Sequence, residues 1–208
     1  DQRIKVLSQE NQGISAARNN GLSHARGKYV MLMDNDDMLA ECAIETVMNN
    51  AFRYDADMVK TGHQVFTKRR TKNVIETGHR VYPEGLGPEL LVYNGFVWGT
   101  AIRRSLFEKT CFPVGFWYED MITRLLLYRM CRCFVYVDQA FYRYRMHENN
   151  ASKKVWSAKN LKALDQYFLL REIKEHADQL GLAENSWVCR LYFDECSGLL
   201  YLRLKDLD

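Results

Sequence analysis

The chain has 208 residues, 47% of them hydrophobic and 26% charged, a balance that excludes disorder and leaves enough apolar material for a sizeable core. With 29 Lys and Arg against 26 Asp and Glu, the formal charge is only +3, which excludes a general binder of polyanions, so no nucleic-acid partner is expected. No apolar run approaches the roughly 18 residues that a membrane span needs.

The chain opens on Asp1, with neither Met nor a signal-peptide pattern, as a fragment or processed product would. Six cysteines stand at positions 42, 111, 131, 133, 189 and 196. None forms a C-x-x-C pair, and Cys131-x-Cys133 is not a zinc spacing. They read as free thiols, small core residues in a reducing compartment. That reading points to the cytoplasm.

In chain order, Ile4–Leu7 is a short apolar strand, and a polar loop follows through Gly13. Ser15 starts a helix carrying Ala16, Ala17, Leu22 and Ala25, with Gly27 at its C-terminal glycine position. Tyr29–Met33 is apolar at every position, the pattern of a strand covered on both faces in a parallel sheet. Strand, helix, strand is a βαβ unit, so the class is α/β.

Asp34-Asn35-Asp36-Asp37 follows that strand at once. Ligands of open parallel sheets bind beyond the carboxyl ends of the strands. Carboxylates crowded there raise one another's pKa and call for a compensating charge. A hard cation such as Mg²⁺ or Mn²⁺ would supply it and bridge to phosphate oxygens. A solvated acidic turn ahead of a helix at 40–52 is the plainer alternative. In the metal reading, Asp37 matters less than Asp36 if it mainly faces the following turn.

Ala56–Phe66 is a strand with Val74-Ile75 as its hairpin partner. Lys68, Arg69, Arg70 and Lys72 between them form either a solvated tip or a phosphate or acceptor contact. Gly78–Pro88, with three Gly and two Pro, is a loop able to act as a flap. Phe96–Ile102 is a strand and Arg104–Lys109 a short helix. Gly115-Phe116-Trp117-Tyr118-Glu119-Asp120 then leads into a helix with Ile122, Leu125, Leu126 and Met130 on one face. Glu119 and Asp120 thus fall in its first turn, where the helix dipole favours ionised carboxylates. They read either as plain helix-start charge or as a general base beside rings able to stack on a sugar.

Phe134–Val137 is a buried strand. Residues 141–146 alternate Phe, Arg, Arg with Tyr, Tyr, Met and lead to His147 and a polar segment through Ser152. From Val155 onward only helices follow, in a hairpin broken at Gly181. This divides the chain into residues 1–154, an α/β domain, and 155–208, a helical extension. The extension could pack on the domain, form a homodimer, or touch a membrane surface, although its mixed charges argue against strong membrane binding.

Three blocks of residues resemble the inverting family 2 glycosyltransferases of the GT-A fold. The first is Asn11-Gln12-Gly13 through Ser15-Ala16-Ala17-Arg18-Asn19-Asn20-Gly21-Leu22. The second is Gly27-Lys28-Tyr29 through Met33 with Asp34-Asn35-Asp36-Asp37. The third is Tyr118-Glu119-Asp120 with Tyr142-Arg143-Tyr144-Arg145 and the segment from His147 to Ser152. The resemblance implies a GT-A, Rossmann-like, mostly parallel sheet.

It also implies a nucleotide-sugar donor, UDP-linked, whose diphosphate is held by Mn²⁺ or Mg²⁺ at the D-x-D motif. Asp34 would face the ribose, Asp36 would bind the metal with His147 as a further ligand, and Gly13 and Arg18 would border the nucleotide. Asp120 would be the catalytic base. The acceptor would be a hydroxyl of a glycan or lipid-linked molecule in cell-surface polysaccharide synthesis, with the protein at the inner face of the membrane. Members of the family begin with a further strand, helix and strand that Ile4 does not follow here, so at least one βα unit is expected to be missing. An unpaired apolar edge then predicts self-association and weak donor binding. Two other classes fit the residues: a non-catalytic sugar- or nucleotide-binding fragment, and a metal-dependent nucleotidyltransferase using Asp34 and Asp36.

Overall fold

The computed structural model describes residues 1–148, 150 and 161–199. The expectations for Asn149, Ala151, Ser152, Val155 and Leu202 lie outside the described residues. The strands in chain order are β1 (Tyr29–Met31), β2 (Met38–Leu39), β3 (Met58–Phe66), β4 (Thr71–Val74), β5 (Arg80–Tyr82), β6 (Thr100–Arg103) and β7 (Phe134–Arg145). The helices are α1 (Gly13–His24), α2 (Ala43–Arg53), α3 (Tyr128–Met130), α4 (Asp165–Gln179) and α5 (Ser186–Leu199). Single 3₁₀ turns lie at Pro88–Val92, Arg104–Glu108 and Leu161–Leu164.

All seven strands join one sheet in the order β1-β6-β3-β7-β2. β6 and then β4 share one edge of β3, while β5 and then β2 share the outer edge of β7. The sheet is mixed where a mostly parallel one was expected: among the strands only β3 and β7 pair in parallel. The reason is β6, which runs back between β1 and β3 and pairs antiparallel to both. β1, β3 and β7 therefore still point the same way, and their carboxyl ends converge.

Neighbouring residues of the central strands serve opposite faces, as the pleat requires. Met58, Ile102, Phe134 and Tyr136 face a large core that holds Ile122, Leu125 and Tyr128, together with Leu169, Ile173 and Leu191 of the last two helices. Val59, Ala101, Val135 and Val137 face a smaller core closed by Val47 and Ala51 of α2. Two covered faces explain why 134–137 is apolar without alternation.

Several local expectations change. Ile4–Leu7 forms no strand, and Ile4 and Val6 are 70% and 88% exposed. A strand needs a hydrogen-bonding neighbour, and among the described residues β1 pairs only with β6. β1 itself is half-buried rather than covered on both faces. α1 begins at Gly13 and closes on Ala25 in extended backbone, so Gly27 is not its cap. The Gly78–Pro88 stretch contains β5, which is docked on β7 and is not a free flap. The cysteines are free, but Cys42, Cys111 and Cys189 are exposed and only Cys131 is a buried core residue.

Asp57 ties the ends of three segments. Its carboxylate, 4% exposed, accepts from Arg103 Nε at 2.6 Å and from the Arg132 N–H at 2.8 Å. Removing it takes the buried partner from a mostly buried guanidinium, which keeps Asp55 and the Ala56 carbonyl, and from the Arg132 N–H. Asp57→Ala should therefore cost about 3 kcal/mol in urea unfolding. A loss under about 1 kcal/mol would show that water replaces the pair.

Candidate functional site

The site is built at the carboxyl ends of β1 and β7, where Arg18 brings distant acids together. α1 buries little apolar surface, with Ser15 its only buried residue. Polar contacts hold it instead. Asn19 Nδ2 donates to the Phe112 carbonyl at 2.8 Å, and the Phe112 N–H returns a bond to Asn19 Oδ1 at 2.9 Å. This pair sets the neighbouring Arg18 over the Phe112 ring, 5.3 Å from its centroid. The guanidinium then donates from Nη2 to Asp34 Oδ1 at 3.0 Å and from Nη1 to Glu119 Oε1 at 2.7 Å. The Arg18 side chain is only 9% exposed. Gly13, the first residue of α1, adopts φ +87, a left-handed conformation that favours glycine, and stays exposed.

The 34–37 turn divides its acids between roles. Asp36 is partly exposed, and its Oδ2 lies 2.8 Å from His147 Nε2. The two residues expected to share a metal are thus adjacent, although 111 positions apart in sequence. Asp37 is 5% exposed and faces β7, not the turn that follows it. Its Oδ2 accepts from the Tyr142 hydroxyl at 2.6 Å, and its Oδ1 accepts from the Arg145 N–H at 2.7 Å. Burial pushes its carboxyl pKa upward, against those two hydrogen bonds. The Tyr142 oxygen also accepts the Asp34 N–H at 3.1 Å, and Arg145 Nε donates to the Asp36 carbonyl at 2.7 Å. These bonds fix the turn to β7. Tyr142 and Arg145 stand in the sequence within an alternating run and a block of family resemblance, neither of which signals what each touches.

Asp36 and His147 are the two side chains that would hold a hard cation here. Among the described residues no group of three or more His, Cys, Asp and Glu converges on one point. A cation there would take two protein groups and complete its shell from phosphate and water oxygens, as Mg²⁺ commonly does.

Across Arg18 lies the second acidic pair. Tyr118 has φ +66, Glu119 and Asp120 form the turn after it, and the helix begins at Met121. They therefore precede the helix instead of occupying its first turn. Residues 123–127 wind as a π-helix, with the Tyr128 N–H reaching the Thr123 carbonyl. The dipole does not dominate Asp120. Burial around its carboxyl, followed by the Glu119 charge, pushes its pKa up to about 7, with Arg18 pulling the other way.

The last helices brace this turn. Asp165 Oδ2 accepts the Trp117 N–H at 2.9 Å, and Glu195 Oε1 pairs with Arg124 Nη1 at 3.1 Å. Phe116 and Tyr118 pack against the main core.

With this geometry in view, comparison with known proteins defines the class. Residues 1–117 match Glycosyl transferase family 2. That is more than half of the sequence, and the chain belongs to this family. The glycosyltransferase GlyA of Streptococcus pneumoniae is 27% identical over 177 residues, which cover 79% of this chain and 25% of GlyA. The minor teichoic acid biosynthesis protein GgaB of Bacillus subtilis is 26% identical over 164 residues, 72% of this chain and 17% of GgaB. The crystal structure of S. aureus TarS 1–349 in complex with UDP-GlcNAc superposes with a TM-score of 0.67 at 14% identity, over 96% of this chain and 55% of that one. The fold is therefore GT-A, and the chain spans between about a sixth and about half of these relatives. Among the described residues no helix is long and apolar enough to cross a membrane.

The division of labour in the turn is measurable. Asp37→Ala strands the Tyr142 hydroxyl and the Arg145 N–H and should cost about 2–4 kcal/mol in urea unfolding. Asp36→Ala, at a carboxylate about one-third exposed, should cost under about 1 kcal/mol. Equal losses would contradict the assignment of Asp37 as the anchor.

Proposed function

We propose that this chain carries the catalytic region of an inverting glycosyltransferase. It moves a sugar from a UDP-sugar to a hydroxyl of a glycan or lipid-linked acceptor in cell-surface polysaccharide synthesis, at the inner face of the membrane. One observation carries the reading: the buried Arg18 guanidinium holds the 34–37 turn and the 119–120 turn together. The names of GlyA and GgaB and the UDP-GlcNAc in TarS 1–349 support the donor and the setting. A nucleotidyltransferase built on Asp34 and Asp36 alone would leave the Glu119–Asp120 turn without a role.

In this reading Asp34 meets the ribose, and Gly13 and Arg18 border the nucleotide. Asp36 and His147 would hold Mn²⁺ or Mg²⁺, which neutralises charge on the departing nucleoside diphosphate. Asp120 takes the proton from the acceptor hydroxyl as its oxygen bonds to the anomeric carbon. The bond to the diphosphate breaks on the opposite face, so a single displacement inverts the centre. A carboxylate with its pKa near 7 suits this task, because it is ionised at working pH yet basic enough to accept a proton. Glu119 raises the basicity of Asp120, and Arg18 keeps Glu119 in place.

Four measurements on the full-length protein test this reading. Asp36→Ala should abolish metal-dependent UDP binding by calorimetry, and undiminished binding would remove Asp36 from the site. Asp120→Asn should keep UDP binding and lower transfer by ~10²–10⁴-fold. If Glu119→Gln were the crippled variant instead, the base would move by one residue. Wild-type kcat/KM should rise with pH through about 7, since only the carboxylate accepts the proton. The same shift has a stability sign. The folded state keeps a proton that the unfolded chain releases near pH 4, so this group's contribution is fully present below that pH. It is lost as pH rises through about 7. Asp120→Asn should therefore melt higher than wild type at pH 8.

A further inference from the structure

Between the two acidic turns stands a ring stack that the catalytic reading leaves unused. Trp98, 8% exposed, lies flat on Tyr142, with centroids 4.4 Å apart and planes at 17°. It also lies flat over Tyr144, at 5.6 Å and 4°. Phe96 covers the Trp98 ring at 4.6 Å and 15°, and is 38% exposed. His63 meets Trp98 and Phe96 edge-on, at 5.1 and 6.1 Å.

The stack touches the 34–37 turn, and the backbone leading into it passes beside the 119–120 turn. On one side, Leu32 bridges to Trp98 two residues before Asp34, and the Tyr142 hydroxyl bonds Asp37. On the other, a Cβ placed on Gly95 would stand 2.9 Å from Arg124 Cγ and 3.7 Å from the Asp120 carbonyl. That leaves room only for glycine beside the proposed base. The Phe96 carbonyl accepts the buried Lys60 ammonium at 3.3 Å, which fixes the backbone under the ring. An exposed aromatic of this size on a rigid three-ring column needs an explanation, because mobile surface rings are not supported in this way.

The geometry points to Phe96 as the stacking platform for the acceptor, and to an acceptor whose reacting residue is a pyranose ring. This rests on the glycosyltransferase reading above, since it concerns the second substrate of that same site. The face of an aromatic ring carries negative charge density. A pyranose presents a face of axial C–H bonds, which are weakly positive and match it, whereas an acyclic polyol has no such face. Burial pushes His63 down to about 4, so the column behind the platform stays uncharged. Of the rings beside the proposed base, Phe116 and Tyr118 are partly buried and pack against the main core.

The test uses the full-length protein and saturation-transfer NMR, with methyl β-D-glucopyranoside, methyl β-D-galactopyranoside and glycerol as probes. Pyranoside ring protons should receive saturation, glycerol should not, and Phe96→Ala should weaken pyranoside binding about 10-fold while Phe96→Tyr retains it. Unchanged pyranoside binding in Phe96→Ala, equal saturation of glycerol, or no pyranoside binding in the wild type would each overturn the proposal. Calorimetry with UDP and Mn²⁺ on the same samples separates the two readings. Loss of UDP binding with Phe96-dependent pyranoside binding intact would strike the transferase reading and leave the platform standing.

Discussion

The site depends on one buried guanidinium. Arg18 donates to Asp34 from one nitrogen and to Glu119 from another, joining turns 85 residues apart in sequence. Its planar fork can make both bonds at once, which a lysine ammonium on a flexible stem could not do with the same geometry. Desolvating such a charge is costly, and two carboxylates together with the Phe112 face offset that cost. The interaction is therefore better understood as positional than as a source of net stability. It sets the distance between the acids expected to serve the donor and the acid expected to serve the acceptor.

Two further constraints make that placement possible. β1, β3 and β7 point the same way despite the antiparallel β6 between them, so the 34–37 turn and the end of β7 arrive at one edge of the sheet. Asp37 and Tyr142 then lock those arrivals together. On the far side, Asp165 and Glu195 hold the residues flanking Glu119 and Asp120. The last two helices share the main core with the strands, so they act on the site through packed contacts.

Much of this was legible in the chain. The apolar run at 29–33 followed by four polar residues placed the acids at a strand end, and the residue pattern gave α2, the helix break at Gly181 and a hairpin on β3, whose second strand is Thr71–Val74 and not Val74-Ile75. Asp36 and His147 were paired through family resemblance, and the structure sets them 2.8 Å apart. What stayed hidden depends on partners far along the chain. Ile4–Leu7 has strand composition, but composition cannot supply a neighbour. β5 lies in a Gly- and Pro-rich stretch and is made a strand by β7. The π-helix at 123–127 has the same apolar spacing as an α-helix. Asp37 was expected to face the following turn, because nothing local announces that Tyr142 waits 105 residues away.

The central claim is that Asp36 with His147 and Asp120 address opposite sides of one bound sugar. A crystal structure of the full-length protein with Mn²⁺ and a UDP-sugar, with anomalous data at the manganese edge, tests it most directly. The account predicts one manganese peak bonded to Asp36 and the diphosphate, with the Asp120 carboxylate on the face of the anomeric carbon away from the leaving group. A peak remote from Asp36, or Asp120 on the diphosphate side of the sugar, would contradict it.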